Sequence, residues 1–150
     1  MNNVIVDTNV IVSFIDEKDK WHNRSLELIA RADSEGWKGV ILDLILFEAI
    51  SVISKRLNER GRLPKGSLSP TDDVSEKIDK IVEIFLKQVT WTGNMIGLWF
   101  GEIIDIVKRS NGRLNFNDAF IVVFCLKNGI NFILSFDRDF DEIDFIKRIE

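Results

Sequence analysis

The chain has 150 residues, 45% of them hydrophobic and 29% charged, a composition typical of a globular protein, and the length predicts a single domain over residues 1–150. Its one cysteine excludes an internal disulfide and a multi-cysteine zinc site, and its one histidine excludes catalysis by paired imidazoles. No apolar run approaches the ~20 residues of a membrane span and no secretory signal is expected, so the sequence predicts a cytoplasmic protein that does not contact membranes.

In chain order, short apolar runs alternate with longer segments of helical periodicity. The predicted strands are residues 4–6, 40–42, 88–91, 132–134 and 145–149. The predicted helices are residues 10–15, a helix capped by Asn23 or Ser25 and ended by Gly36, a helix capped by Asp43 that runs to about residue 58 and is ended by Gly61, and then 72–87, 98–109 and 119–127. Residues 61–70, which contain both prolines, are predicted to form a loop. This alternation indicates an α/β fold with a mainly parallel sheet covered on both faces.

The cations are unevenly distributed along a chain whose net charge is −4. Between residues 55 and 65, five cations oppose a single acid, Glu59. An acidic protein with one basic stretch can hold a metal ion in one place and bind a phosphate backbone nearby. A solvated helix end followed by a polar loop would carry the same charges, so charge alone does not decide between the two interpretations.

Four carboxylates that are far apart in sequence are predicted to share one edge of this sheet. Asp7 and Asp137 follow predicted strands, and Asp118 lies at the start of a predicted helix. In parallel α/β sheets, the carboxyl ends of strands and the N-termini of helices meet at the edge where ligands bind. Glu48 lies about five residues into its helix, but Cα–Cβ bonds tilt toward the helix N-terminus, so its side chain can reach the same edge.

Each of these acids also has a purely structural explanation. Asp7 is suited to cap a helix, Asp118 to the first turn of one, and Asp137 to an Asx turn. Glu48 lies in a mostly apolar helix and needs a partner or a cation. Two carboxylates about 4 Å apart repel by about 4 kcal/mol at an effective dielectric near 20, so four together would bind protons or a hard divalent cation. All-oxygen ligation suits Mg²⁺ or Mn²⁺, which in turn suits phosphoryl chemistry.

Four segments carry a resemblance to a known family, namely VDTNV at residues 6–10, LILFEAISV at 44–52, NDAF at 117–120 and SFDRDF at 135–140. In this order and spacing they resemble the PIN-domain family, and they look closest to its small prokaryotic VapC-type toxin ribonucleases. The resemblance covers nearly the whole chain. It implies a three-layer α/β/α sandwich with a central, mainly parallel sheet, and a metal-dependent endoribonuclease that hydrolyses RNA phosphodiester bonds.

The resemblance also implies the residues of an active site. Carried over by position, the catalytic metal ligands for Mg²⁺ or Mn²⁺ are Asp7, Glu48, Asp118 and Asp137. Asn9 and Ser135 match positions that orient the first aspartate. The additional acids Asp139 and Asp141 are expected to be solvated, with Asp139 as a candidate for binding a second metal ion or a water.

The basic stretch and the aromatic residues are the candidate binding surfaces. Phosphates that flank the cleaved bond are expected to bind the cations Lys55, Arg56, Arg60 and Arg62. The expected partners are the RNA substrate, an antitoxin protein and a second copy of the chain. Most of the four tryptophans and 11 phenylalanines are predicted to pack in the core, and exposed ones would serve a partner.

Three other classes of protein place an aspartate after a first strand or share the fold. A haloacid-dehalogenase phosphatase needs a second aspartate two residues on, where this chain has Asn9. A receiver domain needs an acidic pair ahead of its phospho-accepting aspartate, and none precedes Asp7. The alternative that remains is a PIN-like module that binds RNA or protein without cutting, although such a module has no need of a destabilising anionic cluster.

Overall fold

The computed structural model describes residues 2–61 and 72–150 of the chain. Within them, the strands are β1 (Asn3–Val6), β2 (Lys38–Leu42), β3 (Val89–Thr90), β4 (Phe132–Leu134) and β5 (Lys147–Ile149). The α-helices are α1 (Thr8–Ile15), α2 (His22–Ser34), α3 (Asp43–Arg60), α4 (Asp72–Phe85), α5 (Met95–Leu98), α6 (Phe100–Arg109) and α7 (Phe116–Asn128). Short 3₁₀ helices occupy Leu86–Gln88 and Arg138–Glu142.

Strand β1 lies at the centre of a five-stranded sheet with the order β3-β2-β1-β4-β5. Every adjacent pair of strands is parallel. Val4, Ile5 and Val6 are buried in succession along β1, so both faces of the sheet are covered, as a parallel sheet requires. Helix α1 packs against α2, α3 and α4, whereas α6 packs against α7. The predicted α/β/α architecture with a central parallel sheet is confirmed.

Helix α7 contributes a continuous stretch of the core. Ala119–Cys125 are all buried, because this segment is apolar on every side. Full burial of Phe120 stabilises the fold by about 1.5–3 kcal/mol relative to an exposed position. Burial also raises the pKa of the Cys125 thiol to about 12. The helix ends at Gly129, whose φ of 64° is the left-handed conformation that glycine adopts without strain.

Helix α2 and the predicted helix over 98–109 differ from the sequence prediction for local reasons. Helix α2 begins at His22, and neither Asn23 nor Ser25 caps it, because Ser25 is buried and its hydroxyl donates to the backbone oxygen of His22. The predicted helix over 98–109 is interrupted at Trp99, which ends α5 and precedes α6.

Asp43 illustrates how side chains tie the carboxyl edge of the sheet together. It is the first residue of α3, and the cap position is Leu42 instead. Its carboxylate accepts hydrogen bonds from the backbone nitrogen and the hydroxyl of Thr92, at 3.1 and 2.7 Å, and so joins α3 to the segment after β3. Gly61 ends α3 as predicted, while the remainder of the predicted loop, 62–70, lies outside the described residues.

Two of the four tryptophans pack against the core, namely Trp37 and Trp99. Trp21 and Trp91 are exposed instead, Trp91 to 60%. None of the helices in the described ranges is both long and apolar enough to cross a membrane.

Candidate active site

The carboxylate of Asp7 occupies the end of the central strand. Asp7 directly follows β1, caps α1 and is only 5% exposed. Its Oδ1 accepts from the backbone nitrogen of Thr8 at 2.7 Å, and its Oδ2 accepts from Asn9 Nδ2 and from Ser135 Oγ, both at 2.6 Å. Three donors from two strand ends therefore fix the orientation of this buried group.

Asn9 and Ser135 extend this network toward Asp137. Asn9 Nδ2 also donates to Ser135 Oγ at 3.1 Å, and Asn9 Oδ1 accepts from the backbone nitrogen of Phe136 at 3.0 Å. Ser135 Oγ in turn accepts from the backbone nitrogen of Asp137 at 3.0 Å. The two residues that the sequence singles out as orienting groups thus contact Asp7 directly and connect it to the segment that carries Asp137.

Asp118 and Asp137 lie at helix starts close to the same edge. Asp118 is in the first turn of α7, where it forms a capping box with Asn115: each residue's side chain accepts from the other's backbone nitrogen at 3.0 Å. Asp137 caps the 3₁₀ helix that follows β4, and its Oδ1 accepts from the backbone nitrogen of Asp139 at 2.9 Å. Both carboxylates are half-buried. The two acids therefore have the local structural roles expected of them, and they also lie close to the same edge of the sheet.

Glu48 reaches the group from helix α3. Its side chain is half-buried, and Oε2 accepts from the hydroxyl of Thr8 at 3.0 Å. Thr8 is therefore a residue that the sequence analysis missed, although its place between Asp7 and Asn9 in the VDTNV segment offered a signal. Within residues 2–61 and 72–150, no lysine or arginine forms an ion pair with any of the four acids.

Burial and nearby negative charges raise the pKa values of two of these carboxyl groups. Desolvation is the largest effect on Asp7 and raises its pKa to about 7, against the hydrogen bonds from Ser135 and Thr8, which lower it. The charges of Asp118 and Asp137 raise it further. Desolvation likewise raises the pKa of Asp118 to about 6, with additional contributions from the charges of Asp137, Glu48 and Asp139. The four acids therefore interact electrostatically and lack a compensating positive charge among the described residues.

A hard divalent cation fits this donor set, because the donors are carboxylate and hydroxyl oxygens and two of the carboxyls have raised pKa values. In the described part of the chain, no three acidic, histidine or cysteine side chains are gathered closely enough to ligate one ion as they stand. Hydrogen bonds to backbone nitrogens hold Asp118 and Asp137 in their capping positions. A cation would have to draw these side chains inward.

Two cations of the basic stretch, Arg56 and Arg60, form ion pairs near the end of α3. Arg56 Nη1 lies 2.5 Å from Asp19 Oδ2 and 3.6 Å from Asp16 Oδ2, and Arg60 Nη1 lies 2.7 Å from Asp16 Oδ1. These contacts attach the loop between α1 and α2 to α3. Lys55 is exposed. Arg62 lies outside the described residues.

The two additional acids behave differently from one another. Asp139 is half-buried and its charge raises the pKa of Asp118, so it lies close to the acidic group. Asp141 is exposed but not merely solvated, because both of its oxygens accept hydrogen bonds from Arg148. Asp141 is thus exposed, as expected, but its pairing with Arg148 was not predicted, and Arg148 is a second residue that the sequence analysis missed.

These features define an α/β/α protein with an acidic centre at the carboxyl edge of its parallel sheet. Residues 4–146 match the family model of the PIN domain, and the chain therefore belongs to the PIN domain family. Ribonucleases with this domain generally depend on divalent metal ions.

Relatives with similar sequences or structures align over nearly the whole chain. Ribonuclease VapC6 of Methanocaldococcus jannaschii is 24% identical over 160 residues, which cover 99% of this chain and 97% of that protein. VapC20 of Mycobacterium tuberculosis, a toxin that cleaves the sarcin–ricin loop, has a TM-score of 0.69 and 19% identity over 95% of this chain and 96% of its own. A chain of VapBC2 of Rickettsia felis, crystallised with promoter DNA, has a TM-score of 0.61 and 16% identity over 99% of both chains. The two structures support the fold.

The raised pKa of Asp7 predicts a pH-dependent stability difference from Asp7→Asn in the presence of a chelator. Because the folded chain binds this proton more tightly than the unfolded chain does, the stability it contributes is complete below about pH 4 and is lost as the pH rises through about 7. The variant lacks this titration. We therefore expect its Tm to gain roughly 10 °C on that of the wild type between about pH 4 and pH 8, measured by circular dichroism.

Asp118 titrates in both proteins, so the difference between the two curves reports the titration of Asp7 together with its coupling to Asp118. A difference in Tm between the two proteins that stays constant from about pH 4 to pH 8 would contradict the burial of an uncompensated charge at the end of β1.

Proposed function

We propose that this protein is an endoribonuclease that hydrolyses RNA phosphodiester bonds with Mg²⁺ or Mn²⁺ as its cofactor. One observation carries the proposal: Asp7, Glu48, Asp118 and Asp137 form an interacting acidic group that has no ion-paired lysine or arginine in the described ranges. Membership of the PIN domain family and the likeness to a curated ribonuclease support it.

Each side chain has a distinct task in this proposal. A bound divalent cation supplies an activated water and neutralises charge on the phosphate. Asp7, Asp118 and Asp137 are the proposed ligands, and Glu48 ligates through a water or positions the nucleophile. Asn9 and Ser135 hold Asp7 in one orientation through their donors to its Oδ2. The Thr8 hydroxyl does the same for Glu48.

Cleavage assays on variants test the acidic group directly. Because each carboxylate supplies charge and ligand atoms to the same centre, we expect Asp7→Asn, Asp118→Asn and Asp137→Asn each to lower the rate of RNA cleavage in Mn²⁺ by at least about 100-fold. Asp79→Asn, on the exposed side of α4, is the matched control and should leave the rate unchanged. A chelator should abolish cleavage by the wild type.

Two results of this assay would contradict the proposal. Cleavage that persists in all three variants would point to a contaminating nuclease. Wild-type protein that binds RNA in Mn²⁺ but leaves it intact would favour the alternative, a non-catalytic PIN-like module.

We further propose that cations near the end of α3 bind the phosphates that flank the cleaved bond. Lys55 and Arg62 would contact them directly, whereas Arg56 and Arg60 would do so by exchanging their ion pairs with Asp16 and Asp19. Contacts of this kind make binding strongly dependent on salt.

RNA binding in a chelator, where no cleavage occurs, tests this surface. We expect Lys55→Ala to weaken binding of single-stranded RNA at low salt and to lower the slope of log K against log salt by about 0.7. Arg56→Ala should also lower the Tm, because Asp19 loses its partner. Lys38→Ala, an exposed lysine at the start of β2 and outside the α3 stretch, is the control. Unchanged RNA binding in both α3 variants would leave these cations with a structural role alone.

We also propose that the protein is the toxin of a toxin–antitoxin pair and forms a homodimer. Exposed apolar side chains support a partner surface: Phe47, Trp91, Leu98 and Phe100 are each more than half exposed. The rings of Phe47 and Trp91 lie 6.1 Å apart. Exposed apolar surface such as that of the neighbouring Phe47 and Trp91 is typical of a surface that another protein covers.

Sedimentation velocity tests the dimer. We expect the wild type to sediment as a dimer at micromolar concentration and Trp91→Glu to sediment as a monomer, because a charge in a buried interface is unfavourable. Leu126→Glu places the same charge on another exposed apolar residue, at the end of α7, and should remain dimeric. A wild type that is monomeric throughout would assign the patch to an antitoxin or to no partner.

A further inference from the structure

Arg148 on β5 lies beneath the segment that carries Asp137. Its side chain is only 7% exposed, although Lys147, the residue before it on β5, is exposed. Nε and Nη2 donate to the two oxygens of Asp141 at 2.8 and 2.9 Å, and Nη1 donates to the backbone oxygen of Ser135 at 3.2 Å and to Glu150 Oε2 at 2.6 Å. One guanidinium therefore contacts both ends of the segment 135–141.

This segment is the part of the acidic centre that no α-helix or strand of its own supports. It begins at Ser135, whose hydroxyl donates to Asp7, and it reaches Asp137 two residues later. The rest of the segment is a 3₁₀ helix, which is a weaker scaffold than an α-helix. Arg148 bridges this segment, because its guanidinium donates hydrogen bonds to the first residue, Ser135, and to the seventh, Asp141.

The acids of the segment 135–141 differ in their contacts with Arg148. Its hydrogen bonds hold the pKa of Asp141 below its usual range and occupy both oxygens of that carboxylate. Asp139, two residues earlier, has no ion pair in the described part of the chain and interacts with Asp118 instead. Asp141 is thus engaged away from the acidic centre, while Asp137 and Asp139 remain available to it.

We propose that Arg148 is a positioning residue that fixes the segment 135–141 so that Ser135 and Asp137 are held against Asp7 for binding of the divalent cation. The inference rests on the proposed function of that centre. Only an arginine meets this geometry, since a planar guanidinium can bridge a carboxylate in bidentate fashion and still donate to a backbone oxygen, whereas a lysine cannot.

The chain contains a matched control for this proposal. Arg113 forms a similar pair with Glu142, the next acid after Asp141, through two hydrogen bonds of 2.7 and 2.8 Å. Its side chain is 53% exposed, and the structure gives it no contact with Ser135. Loss of Arg113 therefore removes an arginine–carboxylate pair from the same 3₁₀ helix but leaves the hydrogen bonds of Arg148 to Ser135 and Asp141 in place.

The test is the affinity for Mn²⁺ alone, measured by calorimetry on the intact protein without RNA. Residues that orient metal ligands typically contribute 10–100-fold to metal affinity. We expect Arg148→Ala and Arg148→Lys each to weaken Mn²⁺ binding by at least about tenfold, Asp141→Asn to weaken it less, and Arg113→Ala to bind as the wild type does. In RNA cleavage measured over a range of RNA concentrations, Arg148→Lys should lower kcat and leave KM unchanged.

Two outcomes would overturn the proposal. One is wild-type Mn²⁺ affinity in Arg148→Lys, and the other is an equal loss of affinity in Arg113→Ala. If circular dichroism shows that Arg148→Ala is unfolded, the comparison of Arg148→Lys and Asp141→Asn with Arg113→Ala decides the question. A wild type that neither binds Mn²⁺ nor cleaves RNA would refute the proposed function itself, and this differs from a wild type that does both while Arg148→Lys matches it.

Discussion

The buried carboxylate of Asp7 is the constraint on which the rest of the site depends. It sits at the end of the central strand, where desolvation penalises its charged form, and its pKa rises to about 7. Hydrogen bonds from Thr8, Asn9 and Ser135 offset part of this penalty because they favour the charged form. The strand order places β4 beside β1, and for that reason Ser135, at the end of β4, can reach Asp7.

Local stability and the acidic centre rely on the same side chains. Asp7 caps α1, Asp118 completes a capping box on α7, and Asp137 caps a 3₁₀ helix. A cap of this kind stabilises a helix by about 1 kcal/mol, which opposes the repulsion between neighbouring carboxylates. Caps also hold the acids at helix starts, and the topology of a parallel sheet brings those starts together at one edge. The fold can therefore hold these carboxylates near one another although their negative charges repel.

The order of short apolar runs and longer helical segments was enough to predict the parallel sheet and the edge at which Asp7 and Asp118 lie. Hydrogen bonds that join distant segments could not be predicted, because a charged residue does not reveal its partner. The sequence gives no local signal that Arg148 binds Asp141 or that Arg56 binds Asp19. The interruption of a helix at Trp99 was missed for a related reason, since the residues on both sides keep helical periodicity.

The single thiol of the chain has a practical consequence. Cys125 lies on the buried face of α7, and its pKa of about 12 leaves almost no thiolate at neutral pH. Alkylating and disulfide reagents can reach the buried sulfur only when the core around α7 opens. The rate of its modification therefore reports the opening of the core around α7, without any engineered label.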